Sequence, residues 1–271
     1  MDKINKSDQY MATVIVAGMI CVMIAMTNLR VEQIDVYLLV LVVFTIAVGS
    51  RITVRIPRFK SHISVSDIFI FLALLLYGGE VAVILAAVEA GASAWRFCNR
   101  KITVFFNAAT MAVSTSAVVV VLKIFGLYST SYLAGDEATR KNFIIAISVI
   151  ALTQFLINTS FAALHDALKD RVPLWETWKS KYIWTFITYF LGAISAGLLV
   201  QSVAFLGFGI LFAAFPVIFF VFLSYRMYLN NIEISIKQAE QAEQYAKMME
   251  TQSDALRESE GRFRSAFDYA P

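Results

Sequence analysis

Long apolar runs without a charged residue constrain this chain more than any other feature of its sequence. Residues 103–122, for example, contain no Asp, Glu, Lys or Arg. A helix needs about 20 such residues to cross the hydrocarbon core of a bilayer, which is about 30 Å thick. Several runs in this chain approach or reach that length, so lipid is the expected solvent for most of it.

The composition agrees with a membrane protein. Hydrophobic residues make up 59% of the chain and charged residues 16%, whereas a soluble domain carries about 25% charged residues. We therefore predict an all-α, polytopic bundle of about eight transmembrane helices. The predicted spans are residues 10–27, 35–49, 63–77, 80–95, 103–126, 143–164, 182–203 and 206–225.

The third and fourth predicted spans are short and are joined by Gly78-Gly79. The sequence leaves open whether they cross fully or form a re-entrant pair. The first span follows a weakly basic start and has no small-residue cleavage site, so we interpret it as uncleaved.

The distribution of basic residues predicts the orientation, because short cytoplasmic loops collect Lys and Arg. With a cytoplasmic N-terminus, the outer loops hold only Arg30, Arg140 and Lys141. An even number of crossings then places both termini in the cytoplasm. The basic residues on the inner side are Lys3, Lys6, Arg51, Arg55, Arg58, Lys60, Arg96, Arg100, Lys101, Lys169, Arg171, Lys179, Lys181 and Arg226.

Two inner loops have the composition of interfacial segments. Residues 51–60, RITVRIPRFK, alternate basic or polar residues with aliphatic ones, which suits contact with anionic headgroups. Residues 173–184, PLWETWKSKYIW, place three Trp residues where an aromatic belt is expected. Anchoring to the membrane surface is the prediction for both.

Glu89 is the leading candidate for a functional residue inside the membrane. It lies about nine residues into the fourth span, and its neighbours in LAAVEAGASAW are small. Small residues let helices approach closely, so this helix is expected to be central in the bundle. A charge at mid-bilayer costs at least about 2.5–3.5 kcal/mol, so such a residue is a candidate ligand or proton site by default. The alternative is a neutral carboxyl that links two helices.

Three amides complete the predicted ligand site. Asn107 and Asn158 lie in the inner halves of their helices, and Gln154 lies one turn before Asn158 on the same face. Structural hydrogen bonding between helices is the competing role for all three. Asp67 and Glu80 lie near helix starts, where an acid is favoured by the helix dipole, and we interpret both in that way.

Other polar and small residues are not predicted to form a site. Cys21 and Cys98 are too far apart in the chain to suggest a metal site or a disulfide framework, and the isolated His62 and His165 do not suggest a metal or haem site. The segment LGAISAGL, residues 191–198, places small residues four apart, which predicts close packing within the bundle. The sequence contains no catalytic, phosphate-binding or nucleic-acid motif, so we predict no enzymatic activity, no cofactor and no nucleic-acid partner.

A long polar helix is predicted after the last span. Residues 226–262, here called the exit helix, lack proline and are rich in Glu, Gln, Ala and Lys. Its apolar and small residues recur at three- and four-residue steps, as in a coiled coil. The weak, alanine-rich seam favours a homodimeric connector with two closely balanced registers, and the alternative is a solvated single helix. The seam residues are Ile232, Ala239, Ala242, Ala246, Met249, Ser253, Leu256 and Phe263.

The last residues, ESEGRFRSAFDYAP (258–271), resemble the first helix of a PAS domain, which in bacterial signalling proteins commonly reads E-S-E-x-R-F-R-x-x-F-x-x-A-P. Gly261 departs from the usual Glu or Arg. A multi-span bundle, a coiled-coil exit and a PAS start together resemble the N-terminal halves of bacterial membrane receptors, the MASE-type sensor families. The resemblance implies residues 1–225 as a sensor bundle, 226–262 as a linker helix and 263–271 as the start of a truncated PAS domain.

The resemblance also implies a function and a location. Such sensors lie in the bacterial inner membrane and feed GGDEF, EAL or HD-GYP domains that act on cyclic-di-GMP, or histidine kinases. The expected activity is therefore binding of a small ligand, lipid or proton, relayed by Ala239, Ala242, Ala246, Met249 and Leu256 of a dimeric exit helix. A small-solute transporter and a passive membrane anchor are the rival functions.

Overall fold

The computed structural model describes most of the chain. The described residues are 6–47, 49, 53–55, 62–64, 66–128, 137–210, 223, 227, 230–232 and 234–253. The chain divides into two units, residues 1–218 and residues 219–271.

Helices form nearly all of the first unit, as the long apolar runs predict. The helices are α1 (Lys6–Asn28), α2 (Val36–Ala47), α3 (Ser66–Tyr77), α4 (Gly79–Phe97), α5 (Lys101–Ile124), α6 (Glu137–Asp170), α7 (Leu174–Lys181) and α8 (Phe186–Leu206). Short 3₁₀ turns at Val31–Gln33 and Ile183–Thr185 precede α2 and α8.

Each of the first seven predicted spans coincides with one of these helices, with α7 as an additional short helix between the sixth and seventh. Most of the eighth predicted span, namely residues 211–222, 224 and 225, lies outside the described residues. By length and composition, four helices are able to cross a membrane: α1, α5, α6 from Lys141, and the segment Ile183–Leu206. The chain is therefore a helical protein with at least four candidate membrane spans.

The third and fourth predicted spans differ from those four for separate reasons. Helix α3 has only twelve residues, about 18 Å at about 1.5 Å per residue, which is shorter than the hydrocarbon core. All of its residues except Ile68 and Leu76 are buried, so it is surrounded by protein. Helix α4 is longer but carries Glu80, Glu89 and Arg96.

Small residues allow α1 to pack closely on the centre of the bundle. Helix α4 packs on α5, and α1 contacts both. A Cβ added at Gly18 of α1 would clash with the backbone of Ala109 on α5. Between α4 and α5, a Cβ added at Gly79 would lie 2.6 Å from the Val119 side chain. Glycine is therefore required at position 18, where the clash is with backbone, whereas a larger residue at position 79 would require the Val119 side chain to shift.

The small-residue face of α8 packs inside the bundle, which confirms the prediction from LGAISAGL. Gly192, Ala193, Ala196 and Gly197 are all buried. Gly192 faces α3 at Asp67 and Phe71, and Gly197 faces α6 at Ile147 and Phe143. Helix α8 thus joins α3 to α6.

Contacts between helix ends define two ends of the first unit. At one end Arg100 forms an ion pair with Asp8 at 3.2 Å, and the Tyr10 hydroxyl donates to the Phe161 carbonyl at 3.2 Å. At the other end the Tyr77 hydroxyl donates to Asp35 at 3.0 Å, and the Gly79 N–H donates to the Tyr128 hydroxyl at 2.9 Å.

Basic residues concentrate at the first of these ends, which we call the basic end. Among the described residues it holds Lys6, Arg96, Arg100, Lys101, Lys169, Arg171, Lys179 and Lys181. The opposite end holds Arg30, Lys123 and Lys141. The predicted asymmetry of basic residues is therefore present in three dimensions. Lys123 is one basic residue more than the prediction placed at the end with few basic residues.

A short hairpin is the one departure from an all-α description among the described residues. Thr53–Arg55 (β1) pairs antiparallel with His62–Ser64 (β2), with Val54 opposite Ile63. The sequence predicts only an extended interfacial segment here. The alternation of polar and aliphatic residues in RITVR has the two-residue period of a β-strand, so it is compatible with a strand as well as with a surface segment. The second strand, β2, provides the hydrogen-bonding partner that β1 requires.

In the second unit, residues 234–253 of the exit helix are helical and exposed. Lys247 and Glu243, four residues apart, form an ion pair at 2.7 Å. Ala239, Ala242, Ala246 and Met249 lie in this stretch, whereas Leu256 lies outside the described residues, as does the segment that resembles a PAS domain. The helix is confirmed in this stretch, and the coiled coil stays a prediction.

Candidate functional site

A cavity with both polar and apolar walls lies toward the basic end of the bundle. Its volume is about 410 Å³, within the usual range of about 300–1,000 Å³ for small-molecule sites. Residues from α3, α4, α5, α6 and α8, together with the turn before α8, form its walls. The lining residues are Ser66, Asp67, Glu89, Ala90, Ser93, Ala94, Phe97, Cys98, Phe106, Asn107, Thr110, Met111, Asn158, Thr159, Ala162, Tyr182, Thr185, Thr188 and Tyr189.

Glu89 reaches this cavity from the middle of α4. The residue is 3% exposed, and its Oε1 atom has no hydrogen-bond partner among the described residues. The carboxyl lies within hydrogen-bonding reach of the Ser66 side chain at the start of α3. Small neighbours at Ala86, Ala90 and Ala94 are buried with it, so α4 is central in the bundle, as predicted.

Asp67 is the site residue that sequence reasoning missed. It lies in the first turn of α3, as predicted, but it is also buried, at 8% exposed, and it lines the cavity near enough to Glu89 for their charges to interact. Its position at a helix start is sufficient to explain an acid there, and that explanation hid the second role. The sequence does contain an indication that Asp67 is buried. The apolar segment IFIFLALLLY follows it directly and predicts a buried helix.

Asn107 and Asn158, two of the predicted ligand-binding residues, both line the cavity, but their amide groups make different hydrogen bonds. Asn158 on α6 donates from Nδ2 to the Tyr189 hydroxyl on α8 at 2.5 Å. Asn107 on α5 donates to the Thr103 carbonyl of its own helix at 2.8 Å. The first amide links two walls of the cavity, whereas the second leaves its carbonyl oxygen available.

Gln154 does not line the cavity. Its side chain is fully buried between α6 and α5, where Nε2 lies 3.4 Å from Thr115 Oγ1 and 3.7 Å from Met111 Sδ. Its Oε1 atom has no partner among the described residues. Of the four predicted ligand-binding residues, the structure therefore brings together Glu89, Asn107 and Asn158 and separates Gln154 from them.

The charged side chains on the cavity walls have one sign, and Arg96 of α4, which is not part of the walls, lies near enough to Glu89 for their charges to interact. Among the described residues that line the cavity there are two acids, Asp67 and Glu89, and no Lys, Arg or His. Thr110 on α5 provides a second buried oxygen without a hydrogen-bond partner in the described part of the chain, its Oγ1 atom. Buried polar groups normally have hydrogen-bond partners and buried charges are normally paired.

An ion cluster joins α6 to α7 beside the cavity. The Lys181 ammonium contacts Asp166 at 3.0 Å and Asp170 at 3.2 Å, and the Tyr182 hydroxyl donates to Asp166 at 3.1 Å. The hydrogen bond to Asp166 raises the pKa of Lys181, and burial raises the pKa of Tyr182. Both side chains therefore stay protonated at neutral pH, and they hold the segment that closes the cavity wall.

Trp178 of the predicted aromatic belt anchors α7 to α6. Its indole N–H donates to Thr159 Oγ1 at 2.9 Å, and its ring contacts Phe155 with centroids 5.7 Å apart. Trp175 stacks on Trp178 and is exposed. The indole of Trp178 thus orients Thr159, a residue of the cavity wall.

A smaller cavity lies toward the opposite end. Its volume is about 260 Å³, and it is lined by residues of α1, α4 and α5 that include Cys21, Glu80 and Lys123. Here one acid faces the same space as one base. Charge compensation thus distinguishes this cavity from the larger one.

The described residues offer no metal centre, because they contain no group of three or more His, Cys, Asp or Glu residues that could hold a metal ion. Cys21 and Cys98 are free thiols. Cys98 follows α4 and lines the larger cavity, where burial raises its pKa. A thiol with a raised pKa is a weak nucleophile at neutral pH.

The cavity has the volume and the polar groups to bind and orient a small molecule. No protein-family model, curated protein or solved structure matches this chain. Its function is accordingly inferred from the geometry of the cavity.

Proposed function

We propose that this chain is a membrane-embedded sensory input module that binds a small ligand in the larger cavity. The observation that supports the proposal is the cavity of about 410 Å³, whose walls carry two buried polar atoms, Glu89 Oε1 and Thr110 Oγ1, that have no partner in the described part of the chain. A buried group without a partner costs about 1–3 kcal/mol. A ligand that supplied the missing partners would recover part of that cost.

The walls of the cavity suggest how binding would change the packing of the helices. Asp67 belongs to α3, Glu89 to α4, Thr110 to α5 and Asn158 to α6. A ligand in contact with four helices has different affinities for arrangements in which those helices are closer or further apart. Such a difference in affinity is the only means by which a ligand shifts a conformational equilibrium.

The relay in this proposal is the exit helix acting as a dimeric connector. In the described stretch its side chains are exposed, among them Tyr245 at 68%, Met248 at 56% and Met249 at 70%. Exposed apolar side chains on a cytoplasmic helix favour a partner, and the period of the seam favours a second copy of the same helix.

The remaining parts of the proposal are supported by the resemblance to MASE-type sensors and by the concentration of basic residues at one end of the bundle. They are eight spans, a bacterial inner-membrane location, cytoplasmic termini and a PAS domain after the exit helix. The output would be cyclic-di-GMP turnover or, as the alternative, the activity of a histidine kinase.

A small-solute transporter is the second candidate, because a cavity with buried acids toward one end of a bundle is also typical of a carrier site. Uptake into proteoliposomes separates the two functions. Transport predicts accumulation of a bound solute, whereas a sensor predicts binding without accumulation.

The test of the sensor function joins the full chain at residue 271 to a diguanylate cyclase reporter in cells. We expect Glu89→Gln to change cyclic-di-GMP output by about fivefold or more, in line with typical coupling free energies of about 1–3 kcal/mol. Glu80→Gln is the matched control, because it makes the same change on the same helix outside the larger cavity, and it should leave output unchanged.

The dimer is tested in the same fusion with single cysteines in a background lacking Cys21 and Cys98. Oxidation should cross-link Ala242→Cys, on the seam, more than Gln244→Cys, on the opposite face of the helix. Equal cross-linking of both would remove the proposed seam. Unchanged output when residues 1–218 are replaced by an unrelated multi-span bundle would reduce the module to a passive anchor.

A further inference from the structure

We propose that the larger cavity binds a small organic cation, a protonated amine whose ammonium group lies between Asp67 and Glu89. This inference rests on the proposed function only in taking the cavity as a ligand site. It adds the chemical class of the ligand, which the sensor proposal leaves unspecified.

The first argument is charge. The two carboxyls lie on one cavity, are 8% and 3% exposed, and face no Lys, Arg or His among the described lining residues. Buried charges in proteins are paired or coordinate a metal. Arg96, on the same helix as Glu89, lies near enough for their charges to interact, but it does not line the cavity. A cation in the cavity would provide a partner in direct contact with both carboxyls.

The second argument is hydrogen bonding. Glu89 Oε1 accepts no hydrogen bond and Thr110 Oγ1 has no partner among the described residues. An ammonium group carries three donors and no acceptor, so its donors match in number these two oxygens and one carboxylate oxygen of Asp67. An anion would place like charges beside the two acids.

The third argument is the apolar surface of the same cavity, which favours an organic cation over a metal ion. Phe106, Tyr182 and Tyr189 line it together with the acids, and aromatic faces attract organic ammonium groups. Calcium requires six to eight oxygen ligands at about 2.3–2.6 Å, and magnesium requires six at about 2.0–2.1 Å. The cavity volume of about 410 Å³ has room for the carbon body that a metal ion lacks.

The basic end does not prevent entry of a cation. Its basic side chains are exposed, with Arg100 at 64% and Lys181 at 45%. Exposed charges are screened over about 8 Å at physiological ionic strength. Buried carboxylates are screened much less, so they dominate the potential inside the cavity.

The test is equilibrium dialysis of the detergent-purified full chain against three labelled probes with the same ring: benzylamine, benzyl alcohol and benzoate. We expect benzylamine to bind about tenfold or more tightly than benzyl alcohol, since hydrogen bonds to charged groups are the stronger class. Benzoate should not bind. Butylamine tests whether the aromatic ring is required or only the ammonium group.

Variants assign the binding to this cavity. Glu89→Gln and Asp67→Asn should each weaken benzylamine binding about tenfold. Glu80→Gln, the control on the same helix, should not change it. Thermal unfolding of each variant without probe verifies that the fold is retained, and a stabilisation by benzylamine that is absent in Glu89→Gln gives a second readout.

The outcomes separate the two proposals. Tighter binding of benzyl alcohol or benzoate, or undiminished benzylamine binding by both cavity variants, would overturn the cation class and leave a ligand site of another chemistry. Failure of all four probes to bind would overturn the cation site as well. Benzylamine binding without any change in reporter output would instead support the cation site and overturn the sensor function.

Discussion

Buried amides in this bundle differ in how completely they are used, and the difference predicts their contribution to stability. Asn158 donates to Tyr189 at 2.5 Å across the α6–α8 contact. Gln154, one turn earlier, makes only long contacts at 3.4 and 3.7 Å and leaves Oε1 without a partner in the described chain. The hydrogen bonds of Gln154 therefore recover little of the free energy that is lost when its amide group is removed from water.

Replacing these two amides should therefore have unequal effects. Asn158→Leu is expected to lower the free energy of unfolding by about 1 kcal/mol, because the Tyr189 hydroxyl loses its partner. Gln154→Met, close in shape, removes an unsatisfied oxygen and should be neutral or stabilising. Reversible unfolding in SDS mixed micelles measures both, and a larger loss for Gln154→Met would contradict this assignment.

At the scale of elements, glycine rather than large apolar side chains determines how closely the central helices approach. Gly18 brings α1 against the backbone of α5 at Ala109. Gly91 of α4 is different, because a Cβ there would meet only the Ala108 methyl group at 3.6 Å, an ordinary contact. Two glycines on neighbouring helices thus have distinct roles.

The substitution Gly18→Ala should destabilise the bundle by about 1–3 kcal/mol, because the added Cβ forces α1 away from α5. Gly91→Ala is the matched control, since it makes the same change within a helix without the clash, and its higher helix propensity should make it neutral or slightly stabilising. The same unfolding assay compares them. Equal stability of the two variants would show that α1 and α5 do not pack as closely as described.

At the scale of the whole molecule, the first unit has a sparse end and a basic end, and the larger cavity lies toward the basic one. Short basic loops stay in the cytoplasm. If this rule determines the orientation, the larger cavity is reached from the cytoplasm and the smaller one from outside. The direction from which a ligand arrives is thus linked to the topology.

Single cysteines in a background without Cys21 and Cys98 test the orientation. A membrane-impermeant maleimide added to intact cells should label Glu32→Cys, between α1 and α2. It should label Lys179→Cys, on α7, only after permeabilisation. The reverse pattern would invert the bundle and would remove the basis for cytoplasmic termini.

Local sequence features identify three of the residues that line the larger cavity, and whether those residues bind a ligand stays a prediction. Glu89 was identified because an acid among small apolar residues is costly in lipid, and Asn107 and Asn158 because amides in apolar helices need partners. Asp67 was missed because its role at a helix start explained it locally. Gln154 was included because it shares a helix face with Asn158, although neighbouring residues on one face can contact different helices.

The sequence by itself determined the helical elements of the first unit and their polarity, because length without charge, small-residue spacing and basic loops are properties of consecutive residues. Only the tertiary structure decided that α3 is enclosed by protein and that Asp67 and Glu89 meet on one cavity. Their proximity depends on the packing of α3, α4 and α8, which join residues far apart in the chain. The period of a single helix specifies which residues share a face, but it does not specify which other helix that face contacts.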